Sequence, residues 1–164
     1  MKKNGGFTLV ELMIVIGIIL ILFGLSWINF TSLPSRATLQ TDSVALINDL
    51  KSQQMLAMTG DTSGGGAQSD YGVYFETTIP SYYTLFKGNT YTSGAAGNFT
   101  IELGNANLSF TDNLPVSANH TIVFKKVIGE IVSYDPTKAS VTITDSLTGA
   151  TRVIKLNKYG ATTN

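Results

Sequence analysis

Residues 1–30 read MKKNGGFTLVELMIVIGIILILFGLSWINF and contain the longest apolar run of the chain. Between Phe7 and Phe30 the only ionisable side chain is Glu11. A helix over this segment, at about 1.5 Å per residue, is roughly 36 Å long, which exceeds a bilayer core of about 30 Å. The segment is therefore predicted to cross a membrane as a single helix.

The charges that flank this segment predict its orientation. Lys2 and Lys3 precede it, and the next basic residue is Arg36. Because the basic flank of a membrane segment stays in the cytoplasm, we expect a cytoplasmic N-terminus and an extracytoplasmic C-terminal part.

An ordinary export signal has a similar outline and is the alternative interpretation. It also has a basic start and an apolar middle, and Gly24-Leu25-Ser26 offers a small-x-small cleavage site. Glu11 argues against it, because a carboxylate deep in a bilayer costs about 2.5–3.5 kcal/mol and a disposable signal has no use for one.

The stretch from Lys2 to Leu12, KKNGGFTLVEL, resembles the class III signal of type IV pilins and type II secretion pseudopilins. The shared features are a basic leader, a glycine, a phenylalanine and a glutamate, followed by a long apolar helix. The resemblance implies that residues 1–6 are a leader, that a prepilin peptidase cleaves between Gly6 and Phe7, and that the new Phe7 amine is methylated. Glycine suits a cleavage site because its backbone can lie close to a protease.

Glu11 gains a physical role if such segments form a helical bundle. Its carboxylate can then face the protonated Phe7 amine of a neighbouring subunit, an attraction of about 4 kcal/mol at ~4 Å and an effective dielectric near 20, before desolvation. Alternatively, Glu11 reaches the lipid headgroups and pairs with nothing. Gly17 and Gly24 lie on one stripe where a partner helix could approach closely, although ordinary glycine scatter explains their spacing equally well.

The chain beyond the apolar segment predicts a second helix and then a β-rich domain. Over residues 31–60, Leu39, Leu46 and Leu50 follow helical spacing, which indicates an amphipathic helix. Over residues 61–164, short β-prone runs alternate with glycine and proline. These predicted strands are Tyr71–Glu76, Tyr82–Phe86, Phe99–Leu103, Leu108–Phe110, Thr121–Val127, Glu130–Tyr134, Val141–Thr144 and Arg152–Asn157.

The predicted fold class is α+β. A long N-terminal helix, membrane-spanning over 7–30 and amphipathic over 31–60, should pack on an antiparallel β-sheet or a small β-sandwich. The later chain is similar to GspH/FimT-like minor pseudopilins at Val127-Ile128-Gly129-Glu130 and at Thr148–Leu156. The resemblance implies the same placement of helix against sheet.

Composition excludes several function classes. The chain has 164 residues, no cysteine and a net charge of zero, with 13% charged side chains. Without cysteine there is no disulfide framework, zinc knuckle or thiol nucleophile, and the single histidine, His120, cannot form a triad or a metal site alone. We therefore expect no enzymatic activity, no cofactor and no metal.

The last third of the chain is mildly basic. The possible DNA contacts are Lys125, Lys126, Arg152, Lys155 and Lys158. Because alternate residues of a strand point to opposite faces, Arg152 and Lys155 should not share one surface. Basic residues at a sheet edge also discourage aggregation, and this role explains them without a ligand. DNA binding in a competence or DNA-uptake fibre is therefore kept as the alternative function.

The sequence thus predicts a structural subunit of a type II secretion pseudopilus or a type IV pilus-like fibre. Its expected partners are the prepilin peptidase, other pilin or pseudopilin subunits, the inner-membrane assembly platform and, before assembly, membrane lipid. The β-rich domain should lie outside the cytoplasmic membrane and then in a cell-envelope fibre. The rival class is a secreted β-sandwich binding protein, whose mature chain would begin at Trp27.

Overall fold

The structure is a computed structural model that describes residues 6, 8–30, 33–60, 68–115 and 118–162. Side chains are described at residues 6, 8–24, 37–60, 68–115 and 118–160. The leader residues 1–5, Phe7 and the glycine-rich stretch 61–67 lie outside the described residues. The chain divides into two compact units, Met1–Ser35 and Arg36–Asn164.

The first helix, α1, spans Leu9–Phe30, and Glu11 is the one ionisable residue in its sequence. Its large side chains are exposed, from 46% at Val15 to 75% at Leu9. Among the described residues, no helix combines the length and the hydropathy needed to cross a membrane. The membrane-spanning segment expected over residues 7–30 stays a prediction.

The second helix, α2, spans Leu33–Thr59, close to the expected range of 31–60. Leu39, Leu46, Leu50 and Ala57 recur at helical spacing and are all buried, so one stripe of the helix faces the core. The helix ends at Thr59. The next residue, Gly60, has a φ of 80°, a left-handed conformation that glycine adopts without strain because it has no Cβ.

In the described part of the chain after α2, eight strands form two four-stranded antiparallel sheets. The first sheet has the order β3-β2-β1-β5 and the second the order β4-β6-β7-β8. The strands are Tyr71–Phe75 (β1), Tyr82–Lys87 (β2), Phe99–Glu102 (β3), Leu108–Asn113 (β4), Thr121–Phe124 (β5), Ser140–Asp145 (β6), Thr151–Asn157 (β7) and Gly160–Thr162 (β8).

The two sheets and the buried stripe of α2 share one hydrophobic core. Phe110 of the second sheet makes edge contacts with Phe75 and Tyr83 of the first, at centroid distances of 5.3 and 6.1 Å. The Tyr83 hydroxyl donates a 2.6 Å hydrogen bond to Asp49 of α2. The predicted α+β class, with the helix packed against antiparallel sheet, is confirmed.

The strand expected at Glu130–Tyr134 is wrong. This segment contributes only one isolated bridge, between Ile131 and Phe124, and otherwise forms turns. The preceding strand, expected to reach Val127, ends at Phe124 because the backbone reverses there. The Gly129 N–H donates to the Lys125 carbonyl at 2.8 Å, which closes the turn.

The packing of α2 fixes this turn. The Val127 N–H donates to the Ala57 carbonyl at 2.9 Å, and the Gln54 amide donates to the Gly129 carbonyl at 2.9 Å. Val127 thereby adopts a φ of 70°, which is rare for a β-branched residue. The last strand, β8, follows a tight turn at Lys158 and Tyr159 and was not among the predicted strands.

Candidate functional site

The polar groups at the start of α1 form a capping box. The Thr8 N–H and hydroxyl both donate to Glu11 Oε2, at 2.9 and 3.0 Å. In return, the Glu11 N–H donates to Thr8 Oγ1 at 3.3 Å. Because Thr8 precedes the first helical residue and Glu11 is the third, each satisfies a backbone N–H that the helix leaves unpaired.

The capping box fixes the Glu11 carboxylate beside the start of its own helix. Both bonds from Thr8 end on the same oxygen, whereas a carboxylate offers about four lone-pair sites. The group is exposed, so its position leaves room for a further donor such as an amine. Thr8 was not among the predicted site residues, although the Thr-x-x-Glu spacing at residues 8–11 is a signal for a capping box.

The predicted glycines of this region have open surroundings. A Cβ added at Gly6, Gly17 or Gly24 would meet no other part of the described structure within 4 Å. Packing among the described residues therefore does not require glycine at these positions. Glycine in a helix interior costs about 1 kcal/mol relative to alanine, and no contact of the described residues compensates for it at Gly17 and Gly24.

The predicted DNA contacts after β5 lie in the turn that α2 holds. Lys125 and Lys126 directly follow Phe124, and the Lys126 N–H donates to Asp70 Oδ1 at 2.8 Å. Both lysine side chains are exposed. They are adjacent to each other in the chain and close to an acidic residue.

The other three predicted DNA contacts lie in or just after β7. Arg152 and Lys155 lie on opposite faces of β7, as expected. Ile154 and Leu156, which are on the same face as Arg152, are buried, whereas Lys155 is exposed. Lys158 Nζ lies 2.9 Å from Glu130 Oε2, and this bond raises the pKa of Lys158. Lys158 therefore lies beside the turn that carries Lys125 and Lys126, because the Glu130 carbonyl accepts from the Lys125 N–H at 2.8 Å. DNA contact stays a prediction.

The single histidine of the chain is paired with one carboxylate. His120 Nδ1 lies 2.5 Å from Asp112 Oδ2 at the surface, which makes a pair and not a triad. The described residues contain no group of three or more histidine or acidic side chains that could hold a metal ion.

The comparisons with known proteins bear on the N-terminal region. Residues 1–27 match the prokaryotic N-terminal methylation motif. The chain thus carries a type IV pilin-like prepilin signal, which indicates processing by a prepilin peptidase and assembly with other pilins. Neither a curated protein nor a solved structure matches the chain.

Proposed function

We propose that this chain is a non-enzymatic fibre subunit, cleaved between Gly6 and Phe7, methylated at Phe7 and assembled through its N-terminal helix. The observation that carries the proposal is the methylation motif over residues 1–27. The fold fits this role, because an exposed apolar helix precedes a separate unit that has its own core. Such a division lets the helix enter an assembly while the β-rich part remains folded.

The exposed apolar surface of α1 supports assembly through this helix. Monomeric soluble proteins rarely expose more than a few hundred Å² of contiguous apolar surface, and larger patches mark protein or membrane contacts. Large side chains from Leu9 to Phe23 are each at least 46% exposed. We propose that lipid covers this surface before assembly and that neighbouring helices cover it in the fibre.

The open surroundings of the three glycines support an intermolecular role. Gly6 would allow the peptidase to approach the backbone, and Gly17 and Gly24 would allow another helix to approach α1. The cost of two helix-interior glycines is then offset in the assembled fibre, where close packing replaces open surroundings.

The finer assignment is to a minor pseudopilin of a type II secretion pseudopilus or a subunit of a type IV pilus-like fibre. Two segments with GspH/FimT-like sequence support it, the Val127–Glu130 turn and the region of β7. In this proposal the N-terminus stays in the cytoplasm, and the unit from Arg36 onward lies outside the inner membrane. An inner-membrane assembly platform would then extract the subunit into the fibre.

Mass spectrometry of the protein recovered from its own cells tests the proposal. We expect a mature N-terminus at methylated Phe7. Gly6→Val should leave the precursor uncleaved because a branched side chain keeps the backbone away from the peptidase, whereas Gly5→Val, one residue further from the bond, serves as the matched control. A mature chain that begins at Trp27 would instead identify an ordinary secreted protein.

A further inference from the structure

An apolar surface lies where the C-terminal end of α2 meets the turn after β5 and the turn between β7 and β8. We call it the terminal patch, and its five large side chains are each between 46% and 65% exposed: Met55, Met58, Val127, Ile128 and Tyr159. All five belong to the unit Arg36–Asn164. Single exposed apolar residues are ordinary, whereas a contiguous group of them marks a contact with another molecule.

Hydrogen bonds and close packing hold the three parts of the terminal patch together. The Gln54 side-chain amide donates to the carbonyls of Gly129 and Tyr159, which ties both turns to α2. A Cβ added at Gly129 would lie 2.6 Å from Met58 Cγ, so the Met58 side chain packs directly on the turn after β5. The apolar side chains therefore form one surface.

Val127 adopts a backbone conformation that its side chain does not favour. Its φ of 70° is in the left-handed region, which is unfavourable for a residue with a branched Cβ. Glycine could make the same N–H bond to the Ala57 carbonyl without strain, and the valine side chain is 58% exposed. A valine here is explained if its side chain packs against another molecule.

The border of the terminal patch is basic. It carries four lysines, which are Lys51, Lys125, Lys126 and Lys158. Lys51 lies one helical turn before Met55 on the exposed face of α2. Lys125 and Lys126 directly precede Val127. Lys158 Nζ lies 6.0 Å from the centre of the Tyr159 ring, so every lysine adjoins a member of the patch.

Acidic side chains neutralise only part of this border. Glu130 Oε2 lies 2.9 Å from Lys158 Nζ, and Asp70 Oδ1 accepts the Lys126 backbone N–H. Among the described residues, the side chains of Lys51, Lys125 and Lys126 form no salt bridge. The terminal patch therefore has an apolar centre and a positive border, which an apolar surface with acidic flanks complements.

We propose that the terminal patch binds a segment of another protein in which apolar side chains are flanked by acidic ones. The apolar side chains of that segment would pack on Met58 and Val127, and its carboxylates would face the lysines of the border. Well-packed interfaces depend on the direction of each side chain, which gives a reason for valine at a left-handed φ.

Other occupants complement the terminal patch less well. A fluid bilayer accepts an apolar side chain in any direction, so it gives no reason for the conformation of Val127. DNA would pair with the lysines but would leave the apolar centre without a partner. A second copy joined about a two-fold axis would bring the same lysines together.

Selection of peptides by the full chain, held in nanodiscs of zwitterionic lipid, tests the proposal. The probe is a phage library of random peptides that has first been depleted on empty nanodiscs. The selected peptides should combine large apolar residues with acidic ones. A synthetic copy of a selected peptide is then measured by fluorescence anisotropy, and exchange of its acidic residues for their amides should weaken binding by at least about tenfold.

Variants of the chain separate binding from folding. Val127→Gly, Ile128→Ser and Lys126→Glu should each weaken binding of the selected peptide by at least about fivefold. Leu147→Ser and Lys138→Glu are the matched controls, since both side chains are exposed outside the terminal patch, and binding should be unchanged. Because Val127→Gly relieves backbone strain, a loss of binding in this variant is not a consequence of unfolding.

Selected peptides without acidic residues, or no selected peptide at all, would overturn the proposal. The same holds if Val127→Gly and Ile128→Ser bind the peptide as the wild type does. Displacement of the peptide by phosphatidylglycerol vesicles or by duplex DNA, at lower concentrations than the unlabelled peptide needs, would instead assign the patch to a lipid surface or to nucleic acid. The terminal patch lies outside residues 1–27, so none of these results bears on cleavage at Phe7.

Discussion

The capping box allows the two possible roles of Glu11 to be separated by substitution. Glu11→Gln should keep the capping box, because glutamine also serves at this helical position, but it removes the charge. Thr8→Ala keeps the charge and removes the cap. If the carboxylate pairs with the Phe7 amine of a neighbouring subunit, Glu11→Gln should prevent fibre formation and Thr8→Ala should be tolerated.

The structure sets the expected magnitudes. Thr8→Ala removes the 3.0 and 3.3 Å bonds of the Thr8 hydroxyl and should cost about 0.5–2 kcal/mol of helix stability. The intersubunit pair contributes about 4 kcal/mol before desolvation, at ~4 Å and an effective dielectric near 20. If about half of this attraction survives desolvation, Glu11→Gln should weaken each subunit contact by roughly 30-fold.

The assay is the yield of sheared fibres from cells that express each full-length variant, measured by immunoblot. Mass spectrometry must first show that both variants are cleaved at Phe7, since an uncleaved precursor offers no free amine. The expected order of fibre yield is wild type, then Thr8→Ala within a few-fold, then Glu11→Gln near background. Fibres of Glu11→Gln at the wild-type level, together with loss of fibres in Thr8→Ala, would refute the intersubunit pair and leave Glu11 as a helix cap.

Three predictions concern the β-rich unit and are measured by denaturant titration of the full chain in micelles. Val127→Gly should raise the free energy of unfolding by about 1 kcal/mol, because glycine adopts a φ of 70° without strain and the side chain that is lost is exposed. Val132→Gly is the control: its side chain is also exposed but its φ is not positive, so this change should lower the free energy of unfolding. Gly72→Ala should lower it by about 1–3 kcal/mol or more, since the added Cβ would lie 2.5 Å from a Phe86 ring atom, and an unchanged midpoint would contradict this packing. Tyr83→Phe should lower it by about 1.5–3 kcal/mol through loss of the bond to the α2 carboxylate, and a loss below 0.5 kcal/mol would show that this bond is not made.

The sequence predicted the elements whose local pattern agrees with their packing. The helical spacing of Leu39, Leu46 and Leu50 marks the stripe of α2 that the core buries. Along β6, Val141 and Ile143 alternate with threonines, and both are fully buried. In these segments one periodicity sets both the secondary structure and the buried face, so a single sequence suffices.

The segment after β5 was mispredicted because tertiary contacts override its local preference. Val127-Ile128 is a β-branched pair that favours a strand on propensity alone. The Ala57 carbonyl on α2 captures the Val127 N–H instead, and Gly129 approaches Met58 so closely that an added Cβ would lie 2.6 Å from its Cγ. These contacts join residues about 70 positions apart in the chain, a separation that no local pattern encodes.

The candidate site residues also differ in whether the sequence alone could identify them. Glu11 and the glycines could be found from sequence, because an acid or a glycine within an apolar helix conflicts with its local environment. Gln53 and Tyr71 could not, since a glutamine on a helix and a tyrosine at the start of a strand are both ordinary. Only the fold buries one polar atom of each residue and leaves it without a partner among the described residues.

The capping box also suggests a physical reason why the cleavage site lies so close to Glu11 in the chain. The Thr8 N–H that Glu11 accepts lies one residue after the bond that the peptidase is proposed to cut. Cleavage would therefore create a positive amine at Phe7, one residue before the N–H that already holds the Glu11 carboxylate in place. Because that carboxylate keeps unused lone pairs, it could accept an amine from a neighbouring subunit without losing its bond to Thr8. Cleavage would then supply the positive amine of the ion pair, whose carboxylate is already in place before cleavage. An uncleaved subunit would lack the amine needed for assembly.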